Sequence, residues 1–176
     1  MPAPAGVSLH PALQHTPIGP LLQYNLMDPP SGPALALRSR DVVRSLSRAL
    51  NESATNPPLP SMNINCRHLP WTVRVQASGR CGFVTVNDVL VQIYHSLRKH
   101  LSSGEYNLLG SGRDKERAGD AYRRRYRRFR DARAYNDEKQ GGMRRVDFLM
   151  DSTRFGGLTR GVNAYGEEGW MMSVMR

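Results

Sequence analysis

Residues 123–130 read Arg-Arg-Arg-Tyr-Arg-Arg-Phe-Arg, six guanidinium groups in eight positions. A guanidinium stays charged at any physiological pH, and its planar fork meets a phosphate or carboxylate through two parallel hydrogen bonds. The chemistry on offer is recognition of anions. The surrounding residues 113–133 hold ten Lys or Arg against four acids, so six of the ten net positive charges of the chain fall in 21 residues. At roughly 100° per residue of helix, Arg123, Arg124, Arg127, Arg128 and Arg130 spread over the face turned away from Ala118, Tyr122 and Phe129. Such a ridge suits the backbone of RNA or DNA, or an acidic protein surface. The same run has the composition of a nuclear import signal, and a solvated outer face that simply uses arginine is the structural alternative.

Arg125 stands apart because the wheel places it in the middle of the apolar stripe. A guanidinium there needs an acid partner or a route back to water. Asp147, Asp151 and Asp88 are the candidate partners, and Arg125 with Asp147 is the expected buried structural pair.

Cys66 and His68 are the one place where a nucleophile and a base lie close in sequence. They share a face only if a strand runs on through Arg67, and no third member accompanies them. A Cys/His-dependent, hydrolase-like enzyme is the rival reading, and a thiol buried in the core is the plainer one. His95 falls on the outer face of its helix and His100 near the end of it. No zinc-protease, nucleophile-elbow, phosphate-loop or dinucleotide fingerprint is present, and the two cysteines, Cys66 and Cys81, form no ligand pattern. The expectation is no catalytic residue, no metal and no cofactor.

These residues are positioned by a short list of elements. Thr85 lies three positions before Asp88, a helix-start pattern. From there Val86, Val89, Leu90, Ile93, Tyr94, Leu97 and Leu101 recur at helical spacing, giving the helix around which the rest is organised. Ahead of it Trp71, Val73, Val75 and Ala77 alternate as a strand, and Met62, Ile64 and Cys66 alternate as its partner. Further strands are expected at Leu22, Tyr24 and Leu26, over residues 144–150, and at Trp170, Met172 and Val174. A short helix is expected over 39–51, one or two turns after Ser102 and Glu105, and a second long helix over about 113–135. Phe155-Gly156-Gly157-Leu158 reads as a tight turn followed by loop as far as Gly169.

A chain of 176 residues supports one core, and 12 prolines with 16 glycines mark much irregular backbone. Residues 1–20 carry five prolines and no periodicity, which reads as a disordered or loosely docked arm. The first residues lack the basic start and apolar run of a secretion signal, and no stretch approaches the roughly 20 apolar residues of a membrane span. An intracellular protein, cytoplasmic or nuclear, is expected. The fold class is α+β: a single domain over residues 21–176, with about five mostly antiparallel strands and two long helices packed on one face.

Several motifs in order carry a resemblance: Ala54-Thr55-Asn56-Pro57, Leu69-Pro70-Trp71, Val84-Thr85-Val86, Asp88-Val89-Leu90, Ile93-Tyr94, Ala121 with Arg125, Arg145-Val146-Asp147-Phe148-Leu149 and Phe155-Gly156-Gly157-Leu158. Over about residues 20–160 the chain resembles an uncharacterised domain family abundant in mushroom-forming basidiomycete fungi. The resemblance implies one domain and an organism group, and no reaction or cofactor. The leading functional expectation is a non-catalytic binding domain that uses the arginine ridge. The rivals are the Cys66/His68 enzyme and a scaffold that pairs with other proteins through an exposed strand over 170–175.

Overall fold

The computed structural model describes residues 6–38, 46–79, 81–163 and 165–176. Its strands are β1 (Ser8–Leu9), β2 (Leu22–Tyr24), β3 (Leu35–Leu37), β4 (Thr55–Asn56), β5 (Ser61–Cys66), β6 (Val73–Gln76), β7 (Arg154–Val162) and β8 (Glu168–Met175). Its helices are α1 (Leu46–Asn51), α2 (Val86–Arg98), α3 (Ser103–Asn107), α4 (Gly112–Arg127) and α5 (Ala132–Gln140). This is one α+β domain.

Helix α2 opens on a closed capping box. The Thr85 hydroxyl accepts from the Asp88 N–H at 3.1 Å, and the Asp88 carboxylate accepts from the Thr85 N–H at 2.9 Å. Burial pushes the Asp88 pKa up, but hydrogen bonds from Ser78 and Thr85 outweigh it and hold the group below the usual carboxylate range. Along the helix Val86, Val89, Leu90, Ile93 and Leu97 are all at most 1% exposed. At about 1.5–3 kcal/mol for each large side chain removed from water, this stripe supplies on the order of 10 kcal/mol before entropy is charged.

The stripe packs on a four-stranded sheet of order β6-β5-β8-β7. Strands β5 and β6 pair antiparallel, β5 and β8 parallel, β7 and β8 antiparallel. The register places Ile64 beside Trp170 and Val73, and Met172 beside Cys66 and Leu158, so one face is continuous core. Over Trp170–Met172 β8 has paired neighbours on both sides, β5 and β7, so this part of the 170–175 stretch is inner strand, and Val174 and Met175 pair with β7 alone.

Two expected elements take other forms. Residues 144–150 alternate like a strand, yet Arg145–Leu149 is a 3-10 helix. Val146, Asp147, Phe148 and Leu149 are all buried, which a strand with one wet face cannot achieve, and the Asp147 carboxylate starts the turn by accepting from the Arg144 N–H at 2.8 Å. The long helix over 113–135 is two: α4 ends at Arg127, and the Asp131 carboxylate caps α5 by accepting from the Ala134 N–H at 2.7 Å. Phe129 lies in the break, so it leaves the apolar stripe and is 39% exposed. Of the helix expected over 39–51, the described part is α1; Val42 and Val43 lie outside the described residues.

Phe155-Gly156-Gly157-Leu158 is likewise no turn but a bulge inside β7, where the register with β8 shifts. Gly157 has φ +91°, and a Cβ there would sit 2.5 Å from the His15 backbone nitrogen. The N-terminal arm lies against that bare spot. His15 N–H donates to the Leu158 carbonyl at 3.0 Å, β1 pairs with β4, and Leu9, Ala12 and Leu13 are buried. Residues 7–15 are therefore firmly docked where composition reads as a loose arm: three apolar side chains and a few backbone pairs suffice to order a Pro-rich segment. Residues 1–5 lie outside the described ones.

Candidate functional site

Helix α4 has two faces with different jobs. On the inner face Arg125 is 1% exposed. Its Nε and Nη2 donate to the two oxygens of Asp147, each at 2.9 Å, its Nη1 donates to Glu138, and Nη2 also reaches the Gly142 carbonyl at 2.9 Å. Glu138 in turn accepts two hydrogen bonds from Arg98 of α2, at 2.5 and 2.9 Å. Arg144 completes the cluster by donating to the Arg98 carbonyl at 2.9 Å. Three guanidinium groups and two carboxylates thus join α2, α4, α5 and the Arg145–Leu149 turn. Bidentate geometry is what makes a buried pair tolerable, and the one buried donor of the cluster left without a hydrogen bond among the described residues is Arg144 Nε.

The cluster has a pH signature. Burial by itself raises the Glu138 pKa, but hydrogen bonding to Arg98 and the charges of Arg98, Arg125 and Arg144 overcome it and bring the value down to about 2. A lowered folded value means the stabilisation is complete above the usual 4.5 and is lost as pH falls from there toward about 2. Urea midpoints measured across that window should fall with pH. Glu138→Gln should flatten that limb of the profile and lower the neutral plateau.

On the outer face, Arg123 pairs with Asp120, Arg124 with Asp151 at 2.7 Å, and Arg128 with Asp28. Arg123 and Arg124 remain 47% and 56% exposed in their side chains, and ion pairs this wet hold their partners weakly. Arg127 and Arg130 are exposed and have no ion pair among the described residues. The ridge is thus half-compensated: three arginines are tethered by acids and two project freely.

A concavity of about 690 Å³ opens beside the sheet end. Its floor is Cys66, Leu69, Leu109 and Phe148, its polar wall Asn65, Thr72, Asp114 and Asn163, and its rim Arg67, His68, Leu108, Val162 and Tyr165. Trp71 stands at one side, edge-on to Phe148 with ring centroids 5.1 Å apart and capped by the Arg145 guanidinium 4.4 Å from its ring. Its Nε1–H is buried and unpartnered.

The sequence profile of a family of unknown function, DUF6699, matches residues 22–168. The chain belongs to DUF6699. No curated protein and no solved structure matches it. The DUF6699 match takes in the arginine helix, the buried cluster and all of the cleft lining except Met171, and leaves β1 and the docked arm outside.

Within this DUF6699 domain the thiol and imidazole singled out by sequence both line the cleft, but they differ in environment. Cys66 is 5% exposed and burial pushes its pKa up, whereas His68 is exposed. A nucleophilic cysteine needs the opposite shift. Among the described residues no three His, Cys, Asp or Glu gather as metal ligands, and no helix is long and apolar enough to cross a membrane. The cleft itself escaped the sequence because its walls come from four separated stretches, around residues 65–72, 108–114, 148–150 and 162–171. The one local hint is the tryptophan of Leu69-Pro70-Trp71, a large side chain at the mouth of a strand.

Proposed function

We propose that this chain is a non-catalytic module that binds the phosphate backbone of RNA or DNA along the outer face of α4 and the α4–α5 turn. The observation that carries the reading is the pair of free, exposed guanidinium groups at Arg127 and Arg130, continued by the half-exposed Arg123 and Arg124. Phosphates entering this row exchange weak, wet ion pairs for charge-assisted, bidentate ones and release counterions. The buried cluster at Arg125 anchors the same helix from beneath, so Arg123, Arg124 and Arg127 are presented on a rigid element, and Arg130 follows in the α4–α5 turn.

The reading includes an address. A module of this kind works inside the cell, in the cytoplasm or, with Arg123, Arg124, Arg127, Arg128 and Arg130 serving as an import signal, in the nucleus. Its motifs point to mushroom-forming fungi as the group in which to look for it.

Arg127→Glu with Arg130→Glu is the cleanest test, because neither residue holds an ion pair whose loss would disturb the fold. Mobility-shift titration of a single-stranded RNA or a DNA duplex is expected to show binding weakened about tenfold or more by the double variant, with unchanged thermal stability. Equal binding by the variant and the parent chain would refute the reading.

A further inference from the structure

The arginine run contains one ring that the fold leaves unused. In an unbroken helix Phe129 would lie on the apolar stripe, but α4 ends at Arg127 and α5 starts only after the Asp131 cap, so the ring comes to rest 39% exposed. The other rings of the two helices are engaged. Tyr122 stands edge-on to Tyr126 with centroids 5.0 Å apart, and Tyr126 edge-on to Tyr135 at 5.2 Å. Arg125 lies 5.5 Å from the Tyr122 ring, and Lys139 lies 5.9 and 5.8 Å from those of Tyr126 and Tyr135. Phe129 has no such ring or cation partner among the described residues.

Its neighbours are the cations of the ridge. Arg128 and Arg130 flank it and Arg127 lies two positions before, with consecutive Cα atoms about 3.8 Å apart. The one acid of the turn, Asp131, is engaged as the cap of α5, accepting from the Ala134 N–H at 2.7 Å. An aromatic face and the unpaired guanidinium groups of Arg127 and Arg130 thus come within reach of the base and the phosphates of a single nucleotide.

A duplex has no use for that face. Its bases are stacked on one another, and a side chain enters the stack only as a protruding wedge, whereas most of the Phe129 surface is covered by protein. A single strand can turn its bases outward, and any base stacks on an aromatic ring.

Resting on the reading of the ridge as a phosphate binder, we infer that its ligand is an unpaired strand of RNA or DNA, with one base stacked on Phe129 and the adjoining phosphates held by Arg127 and Arg130. Such a contact reads neither the 2′ position nor a base edge, so ribose and deoxyribose strands of any sequence are taken alike.

Titration of the full chain with four probes tests this: oligouridine and oligothymidine of about 20 nucleotides, an abasic strand of the same length, and a duplex with the same number of phosphates. The two base-bearing strands are expected to bind alike, and about five- to tenfold more tightly than the abasic strand or the duplex. Phe129→Leu, which keeps an apolar side chain and removes the π-face, should erase most of that advantage and leave abasic-strand and duplex binding unchanged. Phe129→Trp should restore it, and the fluorescence gained from the added indole should be quenched by oligouridine but not by the abasic strand. Arg127→Glu with Arg130→Glu should weaken all four probes. If that variant weakens binding while Phe129→Leu changes nothing, or if the abasic strand or the duplex binds as tightly as oligouridine, the stacked base is refuted and the phosphate ridge stands. Binding of none of the probes removes both. Poly-glutamate bound as tightly as oligouridine would assign the turn to acidic proteins and overturn the inference.

Discussion

Arg125→Met is expected to destabilise the domain by about 3–5 kcal/mol, read as a fall in the urea midpoint at neutral pH. The side chain is 1% exposed and bridges Asp147 and Glu138, which are themselves 2% and 7% exposed. Methionine fills much of the volume but leaves Asp147 buried with a bidentate partner missing. Glu138 fares better, since Arg98 still donates to both of its oxygens. Two controls separate charge from packing. Arg125→Lys keeps the charge and loses the fork, so it should recover only part of the stability. Adding Asp147→Asn to Arg125→Met should cost less than the sum of the two changes, because the second removes the stranded charge created by the first. Strict additivity would mean that the pair is not the energetic unit described.

Gly157→Ala is expected to cost about 2–4 kcal/mol and to detach the N-terminal arm. Two penalties combine there. The backbone at φ +91° disfavours any L side chain, and the new methyl group would meet the His15 backbone at 2.5 Å, where no flexible side chain can give way. Gly166→Ala isolates the first penalty, since φ is +80° but nothing lies within 4 Å of the added atom. The difference between the two variants measures arm docking. Proteolysis near residues 10–20 should quicken in Gly157→Ala alone.

The helix at the centre was legible because two independent signals coincide in it: a capping pair at Thr85 and Asp88 and a stripe at three- and four-residue spacing. The β5–β6 pairing was legible for a similar reason, since both strands alternate and the link between them is short. Arg125 stood out because a charge at a core position of the wheel contradicts the pattern around it. The rest was hidden for identifiable causes. Asp147 is a charged residue that is buried, so counting it as the wet position of a strand inverted the local reading. Asp131 ends one helix and caps the next, yet in a stretch already rich in charge it looks like one more polar residue. The parallel pairing of β5 with β8 joins residues about a hundred positions apart, with no local trace. Gly157 looked like a turn because a glycine that permits positive φ and one that permits close backbone approach are indistinguishable in sequence. The cleft, assembled from four stretches, had no pattern to be read.

These elements bear on one another. Helix α4 is pinned from below by the Arg125 cluster, and its N-terminal end contributes Asp114 to the cleft while its C-terminal end carries the exposed arginines. The exposed arginines and the cleft thus lie toward opposite ends of one helix that the Arg125 cluster anchors.

The salt dependence of nucleic-acid binding tests the central claim most directly. For a single-stranded RNA of about 20 nucleotides, log K plotted against log salt from about 50 to 200 mM should fall with a slope of roughly −2 to −3 in the parent chain, and become shallower by about 1 to 2 in Arg127→Glu with Arg130→Glu. A flat plot, or the same slope in both proteins, would contradict an arginine ridge that holds phosphates.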